Sequence, residues 1–161
     1  LRNKIKNHPR YPYHLLREEM QEFILDKLQL LIERKLIKGI GENGTEYTVI
    51  AQILDLPKEI LRLIQKFDFT KKNPKLVYIN TGETMISLQD SILVTFLNLA
   101  GFDILFFVPT GYQSVENYFA EKLMEEHQIG EYKYDMQVPD LNNISINSTR
   151  PSWRRKLFRR G

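Results

Sequence analysis

Two short stretches of this sequence gather hydroxyls, glycines and a carboxylate within a few residues of one another. INTGETMIS, residues 79–87, holds Thr81, Gly82, Glu83 and Thr84. PTGYQSVENYF, residues 109–119, holds Thr110, Gly111, Tyr112, Ser114 and Glu116. Glycine lets a backbone turn sharply or approach a ligand closely, and hydroxyls with free amides at a helix start can hold an anion such as phosphate. In the second stretch Glu116 can accept hydrogen bonds from a ribose or sugar while Tyr112 lies against a ring. These nine residues are the expected ligand contacts. Neither stretch matches G-x-x-x-x-G-K-[ST] or G-x-G-x-x-G, so an ordinary phosphate loop or dinucleotide fingerprint is absent. Neither contains a His, Lys or Arg, so a catalytic base and a phosphate-neutralising charge have to come from elsewhere. No catalytic residue and no cofactor is assigned. The bland explanations are a capped connector for the first stretch and a favourable helix-dipole position for Glu116. The first stretch, taken alone, reads as architecture; the second carries the better functional case.

The elements that must position these loops are legible around them. LVYIN and DILFFV precede the two loops as short apolar runs, which predicts strands buried on both faces of a parallel sheet. Ser87 and Asp90 form a capping-box-like S-x-x-D ahead of SILVTFLNLA, and Gly101 stops that helix. Ser114 predicts the cap of a second helix carrying Val115, Tyr118, Phe119, Leu123 and Met124 and ending near Gly130. The alternating YKYDM predicts a third strand. The expected fold class is α/β: a helical N-terminal part followed by a Rossmann-like βαβα(β) unit with a short parallel sheet and a right-handed crossover. Ligands of open α/β sheets bind outside the carboxyl ends of the strands, where both loops fall. Sugar-nucleotide glycosyltransferases of the twin-Rossmann type have a similar strand, P-[ST] loop and glutamate-bearing helix. That similarity implies a nucleotide, sugar-nucleotide or other phosphorylated metabolite as ligand.

Upstream, NHPRYPYHLL reads as an irregular lead-in. Over residues 15–37 the positions Leu16, Met20, Phe23, Ile24, Leu28, Leu31, Ile32 and Leu36 recur at three- and four-residue steps, predicting a long amphipathic helix. KGIGENGTE ends it. A shorter helix is expected over residues 47–54 and another from Pro57, with Ile60, Leu61, Leu63, Ile64 and Phe67 on its buried face. VIAQILDLPKEILRLI resembles a helix-turn-helix that would bury Ala51, Leu54, Leu56, Ile60 and Leu63. Its second helix offers only Lys58, Arg62, Gln65 and Lys66 as polar surface, so plain helical packing is favoured over DNA binding. The expected division is a helical subdomain over 1–72, the α/β unit over 73–138, and a linker with a basic tail over 139–161.

Charge is distributed unevenly. The tail RPSWRRKLFRRG, residues 150–161, holds six of the 23 Lys and Arg and none of the 20 Asp and Glu, so the rest of the chain is mildly acidic. Trp153, Arg154, Arg155 and Phe158 fit that tail equally to contact with an anionic membrane surface or an acidic partner and to a disordered solubilising tail. There is no cysteine, which excludes disulfides, thiolate catalysis and Cys-ligated metals. His8, His14 and His127 form no metal-ligand spacing, and no metal is expected. No apolar run approaches a membrane span, and the expected compartment is the cytoplasm, extending to the inner face of the membrane through the tail. The first residue is Leu rather than Met, and a fragment of a longer protein is expected.

YTVIAQILDLPKEILRLIQKFDFT, FVPTGYQSVENYF, EHQIGEY and RPSWRRKLFRRG together resemble the C-terminal region of the bacterial YceG-like family, from Tyr47 onward. The resemblance implies a bacterial stress-response setting of the tellurite or toxic-anion resistance type, with protein partners from that response. It implies no catalytic residue. Against the enzyme reading stands a non-catalytic interaction module whose basic tail docks on a membrane or partner.

Overall fold

A computed structural model describes residues 1–66, 72–82, 85–112 and 115–138. Among the described residues five helices and two strands follow one another: α1 (Arg2–Lys6), α2 (Glu18–Glu33), α3 (Thr45–Ile53), α4 (Lys58–Lys66), β1 (Lys75–Ile79), α5 (Leu88–Leu99) and β2 (Asp103–Phe107). The chain is thus a mixed helix-and-strand fold with a short two-stranded sheet.

The long apolar period produces α2, which buries Met20, Ile24, Leu25, Leu28 and Leu31 along one face. Glu18 and Glu19 occupy its first turn, where the helix dipole favours negative charge. The helix stops at Glu33, four residues short of the apolar pattern. Lys35 turns at a φ of 50°, and Leu36 and Ile37 then bury themselves outside the helix. Short as it is, α1 is held to α2 by charge: Arg2 pairs with Glu22 and Asp26, and Lys6 with Glu18 and Glu22.

The lead-in proves to be core. Tyr11 and Tyr13 are buried and meet edge to face, with ring centroids 5.9 Å apart. The Tyr13 hydroxyl donates to the Ile53 carbonyl at 2.7 Å and accepts the Leu56 N–H at 3.0 Å. It therefore fastens the corner between α3 and α4. That corner does not bury what a helix-turn-helix would: Leu56 is buried, but Ala51 is exposed and Leu63 is 44% exposed. Val49, Ile53 and Ile64 face the core instead. Phe67 lies outside the described residues.

β1 and β2 run parallel in direct register, Lys75 opposite Asp103 through Ile79 opposite Phe107, and α5 makes the crossover between them. Ser87 caps α5 by accepting the Asp90 N–H at 3.0 Å. The helix buries nearly its whole circumference, including Ser91 and Thr95. Their hydroxyls are satisfied by donating back to the carbonyls of Ser87 and Ser91, as buried polar groups require. One core joins α2, α3 and α5 with Phe102, Val115 and Phe119, continuous across residue 72.

Three local expectations are corrected. Among the described residues the strands are covered on one face only: Leu76, Tyr78, Ile104 and Phe106 are half-buried, whereas Val77, Ile79, Leu105 and Phe107 are exposed. No helix follows β2 among the described residues 115–138. The backbone bonds that a helix would need go elsewhere, with Lys38 donating to the Tyr118 carbonyl and Ala120 to that of Leu36, both at 2.9 Å. The Val115–Phe119 spacing is met by a single tight turn that buries Val115 and Phe119 against the core. YKYDM forms no strand; among the described residues its Lys133 N–H donates to the Pro109 carbonyl, and Asp135 breaks the extended run at a φ of 56°.

Candidate functional site at the carboxyl edge of the strands

Because the strands are parallel and in register, their following loops leave from the same edge. The Asn80 N–H donates to the Phe107 carbonyl at 3.0 Å, extending the pairing one residue beyond the strands. Thr81 and Gly82 thus emerge beside Val108–Pro109–Thr110. The Gly82 N–H turns back to the Asn80 side chain at 3.3 Å. Thr81 is half-buried and Gly82 exposed. Glu83, Thr84 and Ser114 lie outside the described residues, as do Trp153, Arg154, Arg155 and Phe158 of the tail.

The second loop is the more constrained. Thr110 is buried, and its hydroxyl accepts the Tyr112 N–H at 3.3 Å. Gly111 sits at a φ of +67°, and a Cβ there would lie 2.1 Å from the Tyr132 ring. Only glycine meets both conditions without strain. Tyr112 leaves its ring 49% exposed. Glu116 is half-buried, and its Oε1 is fully shielded with no hydrogen-bond partner among the described residues. An orphaned carboxylate oxygen carries a desolvation cost that a donor from a ligand would relieve.

The electrostatics at the two loops differ. The start of α5, where an anion would be expected, already holds the Ser87 cap and the Asp90 carboxylate, which accepts from the Ser87 hydroxyl at 2.6 Å. The Tyr78 hydroxyl lies 3.4 Å from the same carboxylate; burial first, and then the Asp90 charge, raise its pKa above the usual tyrosine value. A phosphate at this helix end would meet Asp90. At the second loop the fold brings in a cation that no local pattern announces: the Lys38 ammonium donates to the Asn117 carbonyl at 2.8 Å, next to Glu116. Tyr132 over Gly111 is likewise contributed from a distance. The sequence signal for both is absent, because each reaches the loop only through the 36–38 and 131–133 segments.

Chemically, this edge offers hydroxyl and carboxylate acceptors and an exposed ring, and suits hydroxyl-rich and planar groups better than proton transfer. Among the described residues no cluster of three or more His, Asp or Glu could hold a metal ion, and no helix is long and apolar enough to cross a membrane. A surface hollow of about 420 Å³, lined by Leu1, Arg2, Asn3, Lys4 and Gln29, involves none of the loop residues.

Comparison with known proteins matches residues 1–145 to the YceG domain family. A relative from Bacillus subtilis (strain 168), described as uncharacterized protein YceG, is 32% identical over 93 residues. That alignment takes in 56% of this chain and 17% of the relative, so the chain matches about a sixth of the relative's length. No solved structure matches the chain.

Proposed function

The chain belongs to the YceG domain family, and from that premise we propose that it supplies one wall of a ligand site in a Rossmann-like enzyme. The ligand class is a nucleotide, sugar-nucleotide or related phosphorylated metabolite, with its sugar hydroxyls and ring against this chain. The observation that carries the reading is the shared carboxyl edge of two adjacent parallel strands, from which Thr81–Gly82 and Thr110–Tyr112 emerge together. Ligands of open α/β sheets occupy that edge. Glu116, with a shielded oxygen that has no hydrogen-bond partner among the described residues, supports a donor-bearing ligand such as a ribose. Asp90 at the start of α5 argues that the phosphates point away from the first loop, towards Lys38 or towards cations contributed by the rest of a longer polypeptide. The bacterial stress-response setting, with resistance to tellurite or other toxic anions, and a cytoplasmic location are proposed on family resemblance alone.

The test is a thermal-shift screen of nucleotides and UDP-sugars on the full product of the gene. A ligand present at one hundred times its dissociation constant adds about 2.7 kcal/mol to stability, an easily read rise in melting temperature. Glu116→Ala should abolish that rise while Lys58→Ala, remote in sequence from both loops, keeps it. No stabilisation by any compound, or an identical rise in Glu116→Ala, overturns the reading.

A further inference from the structure

We propose that the outer face of the β1–β2 sheet is the seat of an apolar helix supplied by the remainder of a longer YceG-type polypeptide. The inference is independent of the ligand reading. Register places Val77 opposite Leu105 and Ile79 opposite Phe107 on this face, with exposures of 52%, 58%, 37% and 48%. Together they present on the order of 300–400 Å² of contiguous apolar surface, the range of the largest patch on a typical monomer, which is often functional. Among the described residues of the two strands, the charges on this face are Lys75 and Asp103, which neutralise one another at 2.6 Å at its far end. Parallel strands are characteristically covered on both faces by helices, and two strands alone make a marginal sheet. Among the described residues the inner face is half-buried and the outer one exposed.

The size of the patch selects its occupant. A freely diffusing partner or a second copy needs about 800 Å² on each side for a stable interface, roughly twice what this face presents. A tethered segment does not, since its linkage holds it at millimolar effective concentration. The matched relative has more than four-fifths of its length outside the alignment, ample chain to provide such a segment. Its chemistry follows from the seat: Leu, Ile, Val, Phe or Met at i, i+3, i+4 and i+7, with no charge toward the Val77–Leu105 pair.

The absence of cysteine from residues 1–161 lets each introduced thiol be followed on its own peptide. Leu105→Cys, Val77→Cys and the exposed control Lys58→Cys are introduced singly into the full gene product. Maleimide incorporation is then followed by peptide-resolved mass spectrometry. Labelling at 105 and 77 should run at least tenfold slower than at 58, without dependence on protein concentration. A photo-crosslinker at 105 should capture a helical segment outside residues 1–161. Labelling as fast as the control at both positions overturns the proposal. So does protection that grows with concentration, which would mean a second copy, or capture of the chain's own residues 139–161.

Discussion

Removing one oxygen atom, in Tyr13→Phe, should have two linked consequences. Tyr13 is 4% exposed and its hydroxyl serves the Ile53 carbonyl and the Leu56 N–H together. Phenylalanine keeps the ring in place and leaves both backbone groups without a partner at a buried corner. An unsatisfied buried polar group costs about 1–3 kcal/mol, so a loss of about 2–3 kcal/mol is expected at neutral pH. For a chain of this size that lowers the melting temperature by about 4–12 °C. The second consequence is alkaline. Burial, opposed by the hydrogen bond from Leu56, leaves the hydroxyl pushed up to about 12 from 10.0. Folded-state protonation is then tighter than unfolded, so the contribution is full below about pH 10 and is lost as pH climbs toward 12. Two pKa units correspond to about 2.7 kcal/mol. Urea unfolding followed by circular dichroism, repeated from neutral pH to about pH 11.5, should therefore show the gap between wild type and Tyr13→Phe closing above about pH 10. A melting temperature within a degree of wild type would refute the reasoning. A gap that stayed constant through the alkaline range would refute it equally.

Gly111→Ala should destabilise by about 1–2 kcal/mol from its left-handed backbone alone, with a further term from the Tyr132 ring it would strike. Tyr132→Ala in the same chain should recover the second term and leave the first, which a double-mutant cycle in urea reads directly; full recovery would mean the backbone is not strained there. On the acid side, Lys6 and then Arg2 hold the Glu22 carboxyl below its usual pKa. The α1–α2 attachment is thus supported above the ordinary carboxylate pKa and lost as pH falls through the lowered value, more so without salt screening. Amide exchange of α1, corrected for intrinsic rate, should accelerate on acidification and in Glu22→Gln at neutral pH. Exchange independent of pH and of that substitution would show that charge does not hold α1.

Elements whose signals are local could be read from residue order. The α2 stripe, the Ser87 cap with Asp90, the stop at Gly101 and the apolar runs of β1 and β2 each depend on neighbours within a turn or two. Capping, helical period and strand composition act over that range. Where the reading failed, a distant segment competed for the same groups. Leu36 and Ile37 continue the helical period but leave α2 because the 118–120 segment bonds to 36–38 instead. Val115 and Phe119 keep helical spacing yet form no helix for the same reason.

The candidate site divides along the same line. Residue types and spacing alone identified two hydroxyl-bearing loops after two apolar strands and singled out Gly111 and Glu116. A glycine between strand and turn, and a carboxylate with hydroxyls, are choices written into a few adjacent positions. Tertiary structure decided which charges stand beside those loops: Asp90 at the start of α5, Lys38 against Asn117, and Tyr132 over Gly111. It also decided that the sheet has a bare apolar face, because an alternation of Val77, Ile79, Leu105 and Phe107 is compatible with burial or exposure until a layer covers it. Side-chain alternation is intrinsic to a strand; what lies against each face depends on chain far away in sequence.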